Sequence, residues 1–179
     1  REVISKLQSN NSQKELYLTD VIGIMTSNGN AVTAVLSNDY SETLGINDRS
    51  QLAECAALMR DRINYQHMLN GVTMIDPTTT WIDAEVKIEK DVTIYPATSI
   101  SGNSVITSGA VIGPRTTLIN CQVGANSSVI ESFATDSKIG IAAKVGPYSY
   151  LRAGTSLADE AKIGAYVETK NSSIGKGSK

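Results

Sequence analysis

The chain has 179 residues, 41% of them hydrophobic and 19% charged, with a formal net charge of -2. That apolar content is enough to bury a core and excludes wholesale disorder, while the near-neutral charge and the lack of any lysine or arginine run exclude a nucleic-acid footprint or a basic membrane-surface helix. No apolar stretch reaches the roughly 20 residues needed to span a bilayer, and the two cysteines, Cys55 and Cys121, sit far apart without metal-ligand neighbours and read as free thiols of a cytosolic protein.

In chain order, Arg1 falls inside an opening helix, with no initiator methionine or signal-peptide pattern before it. Val3, Ile4 and Leu7 continue that helix over residues 2–9, and the polar run Asn10-Asn11-Ser12-Gln13 breaks it. Residues 16–19 read as a short strand or loop. Thr19-Asp20 then caps a helix through Val21, Ile22, Ile24 and Met25, which Asn28-Gly29 stops. Residues 31–36 alternate as a strand. This α-β order suits the end of an α/β nucleotide-binding domain, although about 46 residues cannot build a stable core of their own.

A long helix follows, from Asp48 to about Leu69, with Leu52, Cys55, Ala56, Met59 and Ile63 as its apolar stripe and Glu54, Arg60, Asp61 and Arg62 opposite. A single stripe of this kind is a packing seam. Its place between two different sequence regimes makes the helix a connecting arm. Residues 71–77 end it, with Pro77 forcing Asp76 out of the α region.

From Ile82 an aliphatic residue recurs at every sixth position: Ile88, Ile94, Ile100, Ile106, Ile112 and Leu118. The phase slips at Val123 and Val129 and returns as Ile139, Val145, Leu151, Leu157 and Ile163, with Ile174 as an echo. Four residues after most of these aliphatics stands a small or β-branched side chain, among them Val92, Thr98, Ser104, Ala110, Ser149 and Thr155. Neither a helix nor a simple alternating strand has this period. A short strand plus a tight corner does, three such units closing one triangular coil, with Gly, Asn and Asp at the turns, as in Gly102-Asn103. Residues 82–179 then give roughly five coils of about eighteen residues, a stack on the order of 25 Å tall at the usual strand spacing. Each buried aliphatic contributes about 1.5–3 kcal/mol, and about three coils are needed before the stack is stable. The predicted fold is mainly β, a parallel β-helix of hexapeptide repeats behind a linker helix.

Several stretches resemble one family together. Residues 10–20 resemble its NNAQGEYYLTD, with Lys14 and Leu16 departing from the pattern. Gly45-Ile46-Asn47-Asp48-Arg49 with Gln51-Leu52 resembles GVNDRxQL, and Gly71-Val72-Thr73-Met74-Ile75-Asp76-Pro77 resembles GVTIIDP. Val145-Gly146-Pro147-Tyr148 with Leu151-Arg152, then Gly164-Ala165-Tyr166-Val167-Glu168-Thr169-Lys170-Asn171, then Gly175-Lys176-Gly177-Ser178-Lys179 complete the set in order. The family is the bacterial bifunctional N-acetylglucosamine-1-phosphate uridyltransferase/glucosamine-1-phosphate acetyltransferase.

The resemblance implies a left-handed β-helix, a cytoplasmic homotrimer and two reactions of cell-wall synthesis. Acetyl-CoA acetylates glucosamine-1-phosphate, and N-acetylglucosamine-1-phosphate is coupled to UTP, giving UDP-N-acetylglucosamine. It assigns residues 1–49 to the end of the uridyltransferase domain, 50–70 to the linker helix and 71–179 to the start of the acetyltransferase β-helix. Both ends of the chain then read as cut. It implies that Asn47 holds Mg²⁺ at the sugar-nucleotide phosphates; the local reading is a helix N-cap, and both can hold. Glu15, Tyr17 and Thr19 would line the same pocket.

Arg152 and Lys170 lie 18 residues apart, one coil, so they stack on one face as a phosphate clamp or as two solvated charges. In the family the matching residues bind the phosphate of glucosamine-1-phosphate. Ala153 replaces a proline common after that arginine. Glu168, on the face of Lys170, either orients the substrate amine or the base, or is a plain surface carboxylate. The only histidine, His67, lies in the linker helix, half-exposed and away from the repeats. The family base is expected after Lys179, and the glycine-rich nucleotide loop of the uridyltransferase domain is absent as well, so these residues alone should catalyse neither reaction. Competing readings are another hexapeptide acyltransferase, such as a serine or lipid-A-type enzyme, or a non-catalytic trimerisation β-helix; one histidine excludes a hexapeptide carbonic anhydrase with three on zinc.

Overall fold

The computed structural model describes residues 2–179; Arg1, assigned above to an opening helix, lies outside the described residues. The chain divides into two compact units, Arg1–Thr43 and Leu44–Lys179.

The first unit holds little regular structure. The expected helix over 2–9 shrinks to a 3₁₀ turn, Ile4–Lys6. Helix α1 (Asp20–Ser27) forms where its cap and stop signals place it, with Asp20 in the first turn and Gly29 beyond the end at φ +75°. The expected strand over 31–36 does not form. Val35 and Leu36 are 90% and 92% exposed, and no described residue of the unit is buried. A strand needs a neighbour for its N–H and C=O groups, and the described residues of this unit supply none.

The second unit opens with helix α2 (Arg49–Leu69). The Asp48 carboxylate accepts from the Gln51 N–H at 2.8 Å, while the Asn47 N–H donates to Gln51 Oε1 at 2.7 Å. This is a reciprocal capping arrangement, and the cap is Asp48, not Asn47. The helix ends in a Schellman turn: the Gly71 N–H (φ +92°) meets the Met68 carbonyl and the Val72 N–H the His67 carbonyl. The expected apolar stripe is not the packed face, for Leu52 and Met59 are exposed and only Ile63 reaches the core. Arg60, Ile63, Asn64 and His67 face the solenoid instead. The Arg60 guanidinium lies 5.0 Å over the Trp81 ring and donates to the Thr78 carbonyl at 2.8 Å. Fully buried Asn64 donates to the carbonyls of Pro77 and Thr80 at 2.9 and 2.8 Å. Only the second half of α2 meets the first coil, so apolar spacing alone could not say which face would be covered.

The solenoid has three six-stranded parallel walls and therefore six coils, one more than the repeat count suggests, because the first strand, Thr73–Met74, precedes the regular period. The first wall runs from Thr73–Met74 to Lys162–Ile163, the second from Trp81–Ile82 to Glu168–Thr169, and the third from Lys87–Ile88 to Ser173–Ile174. Each strand is two or three residues long, so one residue points in and its neighbour out. Ile94, Ile112, Val129 and Val145 stack inside the first wall; Ile100, Leu118, Ala134 and Leu151 inside the second; Ile106, Val123, Ile139 and Leu157 inside the third.

Where a small or β-branched residue such as Val92, Thr98, Ser104, Ala110, Ser149 or Thr155 stands four places after an aliphatic of the regular repeat, it is buried as well, which makes a second inward column beside those corners. Their hydroxyls are paired: Thr98 donates to Tyr95, Ser104 to Ser101, Ser127 to Gly124 and Thr155 to Arg152 carbonyls, each at 2.7 Å. A buried hydroxyl so paired costs little, which is why polar residues can fill the corners.

The phase slip has a structural cause. Ser99↔Thr117 is a step of 18 residues, but Thr117↔Phe133 and Gln122↔Lys138 are steps of 16. Asn120, Glu131 and Asp136, all at positive φ, turn these shortened corners. Ala134 is the interior residue that the strict period misses.

Candidate functional site

The upper two coils of the second wall carry the candidate site. Tyr150 and Glu168 are register partners and point outward; Leu151 and Thr169, the next pair, point inward. Arg152 and Lys170 come next and point outward again. The Arg152 N–H donates to the Thr169 carbonyl at 2.9 Å, which keeps the coils in step past the strand ends. The six-residue repeat thus places Arg152 one coil below Lys170. It also brings Arg152 to Glu168: Nη1 lies 2.9 Å from Oε1, with side-chain exposures of 41% and 59%. Lys170 is exposed beside this pair.

Aromatic groups border the charges. Phe133, one coil below Tyr150, meets it edge-on with ring centroids 5.2 Å apart. At the corner leading into this wall, Tyr148 and Tyr166 stack at 5.4 Å. Beneath them Arg115 pairs with Glu131. A hydrogen bond to Glu131, together with its negative charge, pushes the exposed Tyr148 phenol above its ordinary value. Sequence reasoning missed Tyr150, Phe133 and this corner ladder. The signal was available: outward positions lie two residues before Arg152 and Lys170, in the same register that placed the two cations.

The other expected site residues lie elsewhere. Asn47 precedes α2 with its side chain exposed. Glu15, Tyr17 and Thr19 belong to the first unit. There Asn11 Oδ1 accepts from the N–H groups of Gln13 and Glu15 at 3.2 and 3.1 Å, and Lys14 takes φ +55°. The asparagine brace holds the left-handed turn without a glycine. Tyr17 donates to Gln13 Oε1, and Thr19 stands at the head of α1 without a side-chain capping bond. His67 is half-buried on α2, and desolvation pushes its imidazole below its ordinary value. Cys121 is buried, which pushes its thiol up, and Cys55 is half-buried; both are free. Among the described residues no group of three His, Cys, Asp or Glu could hold a metal, and no helix is long and apolar enough to cross a membrane.

The chain matches curated relatives from end to end. "Bifunctional protein GlmU" of Corynebacterium efficiens is 49% identical over 179 residues, all of this chain and 37% of the relative. The protein of that name from Mycobacterium tuberculosis is 48% identical over the whole chain and 36% of the relative, and that from a Geobacillus species 45% over 99% of the chain and 39% of the relative. The chain therefore spans little more than a third of the length of these relatives. No protein-family model matches it. Among solved structures, PerB from Caulobacter crescentus, in complex with CoA and GDP-perosamine, superposes with a TM-score of 0.54 at 15% identity, covering 67% of this chain and 61% of that one. That likeness concerns the fold alone.

Proposed function

We propose that these residues are the junction of a GlmU-type bifunctional enzyme, with 1–49 closing a uridyltransferase domain, 50–70 linking, and 71–179 beginning an acetyltransferase solenoid. The observation that carries this reading is the 45–49% identity that extends across both compact units. In the proposed reactions, the amine of glucosamine-1-phosphate attacks the thioester carbonyl of acetyl-CoA. The N–C bond forms, the C–S bond breaks, the ammonium proton passes to a base and the CoA thiolate leaves. N-acetylglucosamine-1-phosphate is then joined to UTP with release of pyrophosphate, giving UDP-N-acetylglucosamine for the cell wall.

Arg152 and Lys170 hold the sugar phosphate in this scheme, the first as a fork and the second as a point charge. Glu168 steadies the guanidinium and takes the substrate ammonium. Asn47 serves Mg²⁺ in the uridyltransferase half, with Glu15, Tyr17 and Thr19 toward the acetamido sugar. Because Asp48 does the capping, the Asn47 carboxamide forms no hydrogen bond among the described residues, and a hard amide oxygen suits an ion that otherwise keeps water and phosphate oxygens. When bound, the ion would neutralise phosphate charge. The solenoid associates as a cyclic trimer in the cytoplasm, its partly exposed Val105, Ile130 and Phe133 giving the walls something to bury.

His67 packs near the first coil of the second wall, four coil steps or about 19 Å below Arg152, so it cannot serve as the base there. These 179 residues alone are expected to bind glucosamine-1-phosphate without acetylating it. Calorimetry of the chain against Arg152→Ala and Lys170→Ala tests the clamp, each variant losing about tenfold or more in affinity. Thiol release from acetyl-CoA tests the inactivity. A wild-type chain that binds no sugar phosphate overturns the assignment of the site.

A further inference from the structure

We infer that Tyr150 is the platform on which the sugar ring of an amino-sugar phosphate rests, and so a specificity-determining residue of this site; the inference rests on Arg152 and Lys170 holding the phosphate. The upper second wall presents outward side chains in two parallel rows, Tyr150–Arg152 below and Glu168–Lys170 above. Along a row, neighbouring outward positions are about 6–7 Å apart, and between rows the spacing is about 4.8 Å. A phosphate seated between Arg152 and Lys170 therefore has Tyr150 and Glu168 as its immediate neighbours on the wall, at the distance a pyranose ring covers.

The chemistry of those two neighbours differs in a useful way. A pyranose carries its hydroxyls at the rim and presents C–H groups on its faces, which suits an aromatic face. Tyr150 offers one that is fixed in place. The residue is 39% exposed, and the edge-to-face contact with Phe133 at 5.2 Å and 84° restricts its rotamer before any ligand arrives. Glu168 is bound to Arg152 through one oxygen, at 2.9 Å, and its second oxygen forms no hydrogen bond among the described residues, so an ammonium group at the ring edge can reach it. Phosphate, ring and amine then each meet a different side chain.

The test is titration of the chain with inorganic phosphate, glucose 1-phosphate and glucosamine 1-phosphate, for wild type, Tyr150→Ala, Tyr150→Leu and Tyr150→Phe. The platform requires that Tyr150→Ala and Tyr150→Leu weaken both sugar phosphates roughly three- to tenfold and leave inorganic phosphate unchanged. Tyr150→Phe, which keeps the ring, should retain wild-type affinities. The two truncating variants differ in bulk, so a packing defect in one does not remove the comparison. Equal affinity of Tyr150→Leu and wild type for glucosamine 1-phosphate overturns the platform, as does a parallel loss of inorganic phosphate. A wild type that binds neither phosphate nor sugar phosphate removes the clamp, and the platform with it.

Discussion

Residues 31–36, Ala-Val-Thr-Ala-Val-Leu, and the strands Val105–Ile106 and Val111–Ile112 are made of the same β-branched and aliphatic material. The first segment is open and exposed. The others lie inside six-stranded walls with Ile106 and Ile112 fully buried. Intrinsic preference does not separate them. What does is the stack: each strand of the solenoid finds a parallel neighbour one coil away, while 31–36 has none. β structure here is a property of the pile of coils, and a single segment cannot carry it.

Substitutions that remove a methyl column should break this contrast most sharply. Ile100→Ala is expected to cost about 2–5 kcal/mol, since the residue is fully buried between Ile82 and Leu118 in the second wall. Leu36→Ala should change stability by no more than about 0.5 kcal/mol. Urea denaturation followed by far-ultraviolet circular dichroism measures both. Similar costs at the two positions would mean that 31–36 packs after all.

A smaller loss should come from a corner. Gly146 sits at φ +104°, and a Cβ there would collide with the Ile130 carbonyl and Ser132 Oγ. Gly146→Ala should cost about 1–3 kcal/mol. Gly29→Ala, at φ +75° in the first unit with open space around it, carries the backbone term without the collision and should cost less. The difference between the two melting temperatures isolates the contribution of the coil beneath. Replacement of Asp48, the cap of α2, by Ala is expected to cost about 1 kcal/mol, and Asn47→Ala close to nothing, which hydrogen exchange at the first turn of the helix can read.

The legible parts of the sequence are those governed by a strict period. The interior columns, the corner residues and the one-coil spacing of Arg152 and Lys170 all follow from counting sixes. Where a unit shortens to five, as around Ala134, counting fails, because Asn and Asp corners at positive φ can close a tighter turn that no aliphatic signals. The packed face of α2 was illegible for a different reason. Arg60 and Asn64 are polar by type, and only the position of Trp81 and of the Pro77 and Thr80 carbonyls makes them the contact residues. The Arg152–Glu168 ion pair follows from register, but its lateral reach between columns does not.

That packed face also supplies the smallest and cleanest test. His67 is the only histidine, and burial against the solenoid lowers its pKa in the folded chain. Between that lowered value and the ordinary value near 6.5, the unfolded chain binds more protons than the folded one. Stability from this group is therefore complete above about pH 6.5 and declines as pH falls through the window below it. Chemical denaturation should show a lower midpoint at pH 5.5 than at pH 7.5, and His67→Gln should flatten that slope. Nothing comparable is expected from the first unit, which contains no histidine. A slope that survives His67→Gln would move its origin to carboxylates and remove the coupling between α2 docking and acidity.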